Sequence, residues 1–173
     1  MKLKPIRIIT LICAALCCQS CAFAQKNTDV YSIIEQISAN ESRGVLYFDR
    51  TRNAENDTFL TLAPEKLGYL YTGRFEPPEC LDRVSSYALR LSADLEGGEI
   101  HVIECIDRSD TAEITALMSL RIERFQSSEV LWIAPETHEK YFKSATTYVK
   151  GRYAFLLATA DNSSVIRQIE KIL

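Results

Sequence analysis

The strongest constraint on the fold is a β-hairpin pattern over residues 146–159, TTYVKGRYAFLLAT. Gly151 and Arg152 suit a two-residue loop, because a type II′ turn needs a positive φ at its first position and glycine adopts one without strain. This loop fixes the register and predicts that Tyr148 faces Phe155. Both faces of the second strand are apolar. The strand is therefore predicted to be covered on both sides, or covered on one side and in contact with a partner on the other.

One face of this hairpin is aromatic and is a possible interaction face. It carries Tyr148, Tyr153 and Phe155 on alternate positions of the two strands. If this side of the sheet is exposed, these rings are expected to contact a partner.

The amino-terminal 24 residues have the pattern of a secretory signal peptide. Basic residues precede an apolar run that is shorter than the roughly 20 residues needed to cross a membrane and that ends in small residues. The Ala-Phe-Ala sequence at 22–24 suits cleavage before Gln25. Cys21 follows a poor lipobox and offers lipid attachment as the alternative. The protein is therefore expected to be secreted or anchored to a membrane outside the cytoplasm.

Residues 25–173 are predicted to form a single α+β domain of 149 residues, long enough for a substantial core. Removal of the signal leaves seventeen basic and twenty-three acidic residues, a net charge of −6. This charge argues against nucleic acid or an anionic membrane surface as a partner. Membrane contact is expected only through the lipid anchor.

Cys80 and Cys105 are the cysteines that remain after cleavage, and in an exported domain they form a possible disulfide. A reduced Cys105 buried on a strand is the alternative. This pair lacks the further ligands that a metal site requires, and no histidine lies at a useful spacing. Neither a metal nor a cofactor is expected.

The remaining periodicities predict the other elements of the domain. Apolar spacing indicates helices over 28–40, over 110–125 and at the carboxyl terminus, and a second hairpin over 86–94 and 100–106. Alternation over 86–94 predicts a sheet with one buried and one wetter face. Asp110 is the expected cap of the middle helix. The fold class is α+β: an antiparallel sheet of two successive β-hairpin-helix units with an amino-terminal helix packed on it.

Few residues suggest catalysis. His101 lies on a predicted strand and His138 in a polar segment, and neither has a recognisable partner in the sequence. Asp107, Ser109 and Thr111 resemble a metal-adhesion loop, but that loop belongs to a parallel sheet, whereas a hairpin precedes these residues. No catalytic residues are therefore assigned.

The order of elements resembles a known family. The segment Tyr148-Val-Lys-Gly-Arg-Tyr-Ala-Phe-Leu-Leu, followed by a polar turn and a short helix, is similar to small exported proteins and lipoproteins of Clostridia and their relatives, catalogued only as a domain of unknown function. The Asp-rich turn at 107–113 also fits, and the resemblance covers about residues 65–173. It implies export and membrane association but no activity. The poor lipobox departs from the family pattern.

The expected function is that of a non-catalytic binding or structural module. Residues 41–73 and 127–145 are irregular and would present a recognition surface for a protein or a glycan outside the cytoplasm. An inhibitor or regulator of an extracellular enzyme is the alternative, and an enzyme is a weaker one. The sequence leaves the oligomeric state open.

Overall fold

The computed structural model describes residues 28–39, 45–48, 62–92, 98–127 and 134–173. Its helices are α1 (Val30–Ile37), α2 (Pro64–Thr72), α3 (Thr111–Gln126) and α4 (Asn162–Ile172). Its strands are β1 (Val45–Phe48), β2 (Val84–Leu91), β3 (Glu99–Cys105), β4 (Thr146–Lys150) and β5 (Tyr153–Ala158). Short helical turns occupy Glu79–Arg83, Arg108–Asp110 and Pro135–Thr137, the last continuing as a π-helical turn over His138–Phe142. The predicted signal peptide and Cys21 lie outside the described residues.

The strands form one antiparallel sheet in the order β1-β2-β3-β5-β4. The predicted hairpin of β4 and β5 is confirmed in its register, since Tyr148 lies opposite Phe155. Gly151 has a φ of 59°, the positive value that its turn requires. Because β5 pairs with β3, the later strand of this hairpin lies inside the sheet and β4 lies at the edge.

Helices cover both faces of the sheet. On one face, α2 and α3 pack on Leu89, Ile103 and Leu156. On the other, α1 and α4 pack on Val102 and Phe155. This explains why β5 is apolar on both faces, and all six of its residues are buried.

The prediction that β2 has a wetter face is wrong. Ala88 and Arg90, on the side expected to be wetter, are both buried because α1 lies over them. Arg90 is accommodated by donating from Nη1 to the carbonyl of Ser38, 3.1 Å away at the end of α1. The guanidinium thus satisfies one of the carbonyls that a helix leaves unpaired at its carboxyl end.

The amphipathic helices form as their spacing predicts. The inward residues of α1 are fully buried, and Asp29 caps the helix by accepting hydrogen bonds from the backbone N–H groups of Tyr31 and Ser32. Asp110 is the N-cap residue of α3 as predicted, but its side chain makes no capping hydrogen bond to that helix. Asp107 forms a capping box with Asp110 around a 3₁₀ turn, and this turn leads into α3 at Thr111.

The α+β class, the antiparallel sheet and the amino-terminal helix packed on it are confirmed. A helix follows each pair of strands, α3 after β3 and α4 after β5. These two helices pack on opposite faces of the sheet. The description as two successive β-hairpin-helix units stays a prediction.

The aromatic face predicted for partner contact is covered by the protein itself. Tyr153 and Phe155 are buried in the core beneath α1 and α4. Tyr148 is half-buried, and its hydroxyl donates to the carboxylate of Glu170 on α4. The proposed interaction face required this side of the sheet to be exposed. Two helices, α1 and α4, pack on it instead.

Candidate functional site

An open cleft of about 780 Å³ lies where the end of α2 and the following loop meet α3. Its size is within the range of binding sites for small ligands or for a few side chains of a partner. Its lining residues are Tyr71, Thr72, Arg74, Glu76, Pro77, Pro78, Glu79, Leu120, Glu123, Arg124 and Ser127.

The cleft exists because α2 ends sharply. Gly73 has a φ of 73° in the left-handed region, which glycine adopts at low cost, and its N–H donates to the carbonyl of Tyr69. The chain then turns away from the helix axis into the exposed residues 74–76. Thr72 supports this turn, since its Oγ1 accepts from the N–H of Arg74 at 3.0 Å.

Two arginines one turn apart on α3 hold the end of α2 in place. Arg121 donates from Nη1 to the carbonyl of Leu70 at 3.0 Å, and Arg124 donates from Nη1 to that of Tyr71 at 3.4 Å. Cations at a helix carboxyl terminus satisfy unpaired carbonyls and oppose the negative end of the helix dipole. The two walls of the cleft are thereby fixed to each other.

Close packing fixes the proline wall against α2. A Cβ atom at Gly68 would lie 3.0 Å from Cα of Pro77 and 3.1 Å from Cδ of Pro78. Only a residue without a side chain lets the helix approach the two prolines this closely. Proline also restricts the backbone of the loop, so the wall loses little freedom when a ligand binds.

Exposed apolar side chains occur in this cleft and next to its lining residues in sequence. Leu120 lines it with 44% of its surface exposed. Phe75, 76% exposed, lies between two lining residues and stacks on Tyr69 with ring centroids 4.6 Å apart. An apolar surface that a protein leaves in water around a cleft is typical of an interaction site.

A buried polar chain lies directly behind the cleft. The Tyr71 hydroxyl is 2.8 Å from Nδ1 of His101, and Nε2 of that ring is 3.3 Å from Oε2 of Glu99 without the alignment of a hydrogen bond. Arg121 binds Glu99 through two hydrogen bonds, from Nε at 2.7 Å and from Nη2 at 2.6 Å. A guanidinium and a carboxylate bind each other most strongly through two such parallel hydrogen bonds.

The electrostatics of this chain favour one set of protonation states. Burial alone would raise the pKa of Glu99, but the Arg121 guanidinium and the His101 ring together outweigh burial and lower that pKa to about 2. Burial lowers the pKa of His101 in spite of the neighbouring carboxylate, and burial raises the pKa of the Tyr71 phenol. At neutral pH, Glu99 and Arg121 are charged while His101 and Tyr71 are neutral. The carboxylate favours the tautomer with its proton on Nε2, in which Tyr71 donates to Nδ1.

The other residues that the sequence analysis named lie outside the cleft lining. His138 contacts the carbonyl of Phe125 through Nε2 at 2.9 Å, and Asp107 caps a helical turn. Cys80 and Cys105 are both free, and burial raises the pKa of the Cys105 thiol to about 11. The disulfide between them stays a prediction. Within the described ranges, no group of histidine, cysteine or acidic side chains has the arrangement of a metal site.

The partners of His101 in the structure, Tyr71 and Glu99, were not predicted from the sequence. Glu99 and His101 lie two residues apart on β3 and so share the face that α2 and α3 cover. A Glu-x-His pattern inside an apolar strand was the available signal. Tyr71 and Arg121, which complete the chain, are 30 residues before and 20 residues after His101 in sequence. Of the recognition segments expected at 41–73 and 127–145, the cleft uses Tyr71, Thr72 and Ser127.

No described helix combines the length and apolar character that a membrane span needs. In comparisons with known proteins, no family model, no curated protein and no solved structure matches the chain. The resemblance to the exported family therefore stays a prediction.

Proposed function

We propose that the protein is a non-catalytic binding module that works outside the cytoplasm, with the cleft between α2 and α3 as its ligand site. The observation that carries this proposal is the open cleft of about 780 Å³ with exposed apolar residues in and beside it. The signal-like pattern of residues 1–24 supports the location, whether the protein is freely secreted or held by a lipid at Cys21.

The construction of the cleft favours binding over reaction. His101 is fully buried behind Tyr71, and its ring contacts the protein's own side chains. The walls are held by arginine contacts to helix carbonyls and by the proline packing on Gly68. Such a preformed site binds with a small loss of conformational entropy.

The test is affinity capture from the native cell envelope, followed by mass spectrometry, with the wild-type protein and two variants. Leu120→Arg places a charge on the apolar wall and is expected to abolish recovery of the partner. Ile106→Arg changes an exposed apolar residue that does not line the cleft, and it is expected to recover the partner as the wild type does. Equal recovery by all three proteins would contradict a cleft-based function.

Inhibition or regulation of an extracellular enzyme is one form that such binding can take. Adding the wild-type protein to a captured enzyme should then lower or raise its activity, whereas Leu120→Arg should leave that activity unchanged. The same mass spectra identify the mature amino terminus, any lipid at Cys21 and the state of Cys80 and Cys105.

A further inference from the structure

We infer that the occupant of the cleft is a basic segment of a partner polypeptide in which lysine or arginine residues are interspersed with apolar ones. This inference rests on the proposed function and adds the chemistry of the ligand. It follows from how charges and apolar surface are distributed around the cleft.

Three carboxylates line the cleft. Glu76, Glu79 and Glu123 come from the loop, the 3₁₀ turn and α3, are exposed, and form no ion pair with any described residue. Some exposed carboxylates elsewhere pair with cations, as Glu139 does with Lys143 at 2.7 Å and Glu170 with Lys150. Within the described ranges no cation pairs with these three acidic groups, so they can accept positive charges from a ligand.

The arginines of the cleft only partly offset this charge. Arg124 is directed to the end of α2, where Nη1 donates to the carbonyl of Tyr71. The same atom is 3.3 Å from where a Cβ atom on Gly73 would lie. Arg74 remains as the cation without an ion pair among the described lining residues. The three carboxylates outnumber the guanidinium groups of Arg74 and Arg124 by one, so the lining has a net charge of −1, which complements a basic ligand.

The apolar surface specifies the rest of the ligand. Leu120, Pro77 and Pro78 offer apolar walls between the carboxylates. Phe75 lies between the lining residues Arg74 and Glu76 in sequence, and its ring stacks on Tyr69 to present an exposed aromatic surface over which a guanidinium or ammonium group can lie. A polypeptide with both basic and apolar side chains matches both properties, whereas a neutral glycan leaves the carboxylates unpaired.

The inference is tested with fluorescently labelled decapeptides in which lysine or arginine alternates with leucine or tyrosine. Two matched sets replace every basic residue with glutamate or every apolar residue with serine. Fluorescence anisotropy is expected to show binding of the first set alone, weakening as NaCl rises from about 50 to 500 mM because salt screens exposed charges.

Two triple variants with the same change in charge separate the cleft from general electrostatic attraction. Glu76→Gln/Glu79→Gln/Glu123→Gln is expected to raise the Kd of the basic peptides about tenfold or more. Glu65→Gln/Asp82→Asn/Glu136→Gln alters exposed residues that do not line the cleft, and it is expected to leave the Kd within about twofold. Equal weakening by both triples, or equal binding of basic and acidic peptides, would overturn the inference.

Failure of this inference is distinguishable from failure of the proposed function. If no basic peptide binds but Leu120→Arg still loses the native partner, the cleft binds a ligand of other chemistry and only the inference falls. Binding of a neutral oligosaccharide that Leu120→Arg abolishes would likewise overturn the inference alone. If Leu120→Arg keeps the native partner, the proposed function falls as well.

Discussion

At the scale of single residues, the central feature is a buried negative charge with one strong partner. Glu99 is fully enclosed, and Arg121 supplies the positive charge that makes its ionisation favourable. The net gain from such a buried pair is small, because both ions lose their hydration. Removing one member lowers the free energy of unfolding by much more than the pair contributes to it, because the other member remains charged in the protein interior, away from water.

Arg121→Met is therefore expected to lower the free energy of unfolding by about 3–5 kcal/mol at pH 7, measured by urea denaturation. Arg124→Met is the matched control. Its guanidinium is exposed and makes a longer contact to the backbone, so a loss below about 1 kcal/mol is expected. Adding Glu99→Gln to Arg121→Met should restore part of the loss. Equal losses for the two arginine variants would refute this account of the buried charge.

At the scale of elements, the contact between α2 and the proline loop decides the shape of the cleft. Helix propensity alone predicts that Gly68→Ala stabilises α2 by about 1 kcal/mol. The Cβ position is 3.0 Å from the backbone of Pro77, so the new methyl group must push the loop away or strain the helix.

We expect Gly68→Ala to reduce stability and to weaken ligand binding, as measured by thermal unfolding and by peptide anisotropy. Lys66→Ala, at an exposed position of the same helix, should change the free energy of unfolding by no more than about 0.5 kcal/mol. A Gly68→Ala protein that is more stable and binds normally would show that the loop relaxes at no cost.

Local patterns predicted the elements well because they depend on neighbouring residues. The spacing of Ile33, Ile34 and Ile37 gave the buried face of α1, and Gly151 gave the hairpin register. The sequence could not show that α1 covers Arg90 or that Tyr71 meets His101, because these contacts join segments far apart in the chain. The cleft was missed for the same reason, since its walls come from two helices and the loop between α2 and β2.

At the scale of the whole molecule, the buried chain makes stability depend on pH. The pKa of His101 is lowered from its ordinary value of 6.5, so the unfolded chain binds this proton more readily than the folded one. Stability is therefore expected to fall as the pH drops below about 6.5. The pKa of Glu99 is about 2 against an ordinary 4.5, so a second loss is expected as the pH falls from 4.5 towards 2.

Unfolding in urea at pH values between 7.5 and 5 tests the first of these effects. His101→Gln keeps an acceptor for Tyr71 but cannot take up a proton, and it should reduce the loss of stability by up to about 1.4 kcal/mol for each pH unit. His138→Gln removes the other histidine and is the matched control variant. Identical pH profiles for wild type and His101→Gln would contradict the assignment.

The position of β5 has a consequence for how the protein is made. This strand joins β3 to the edge strand β4, yet it is the last of the described strands in chain order. A nascent chain cannot complete its sheet until residue 158 has been synthesised, because β3 pairs with β5 and β5 ends at that residue. Contacts between such distant segments form slowly. For the export that we propose, this delay is useful, since a polypeptide that has not yet closed its sheet can still be threaded through a narrow channel.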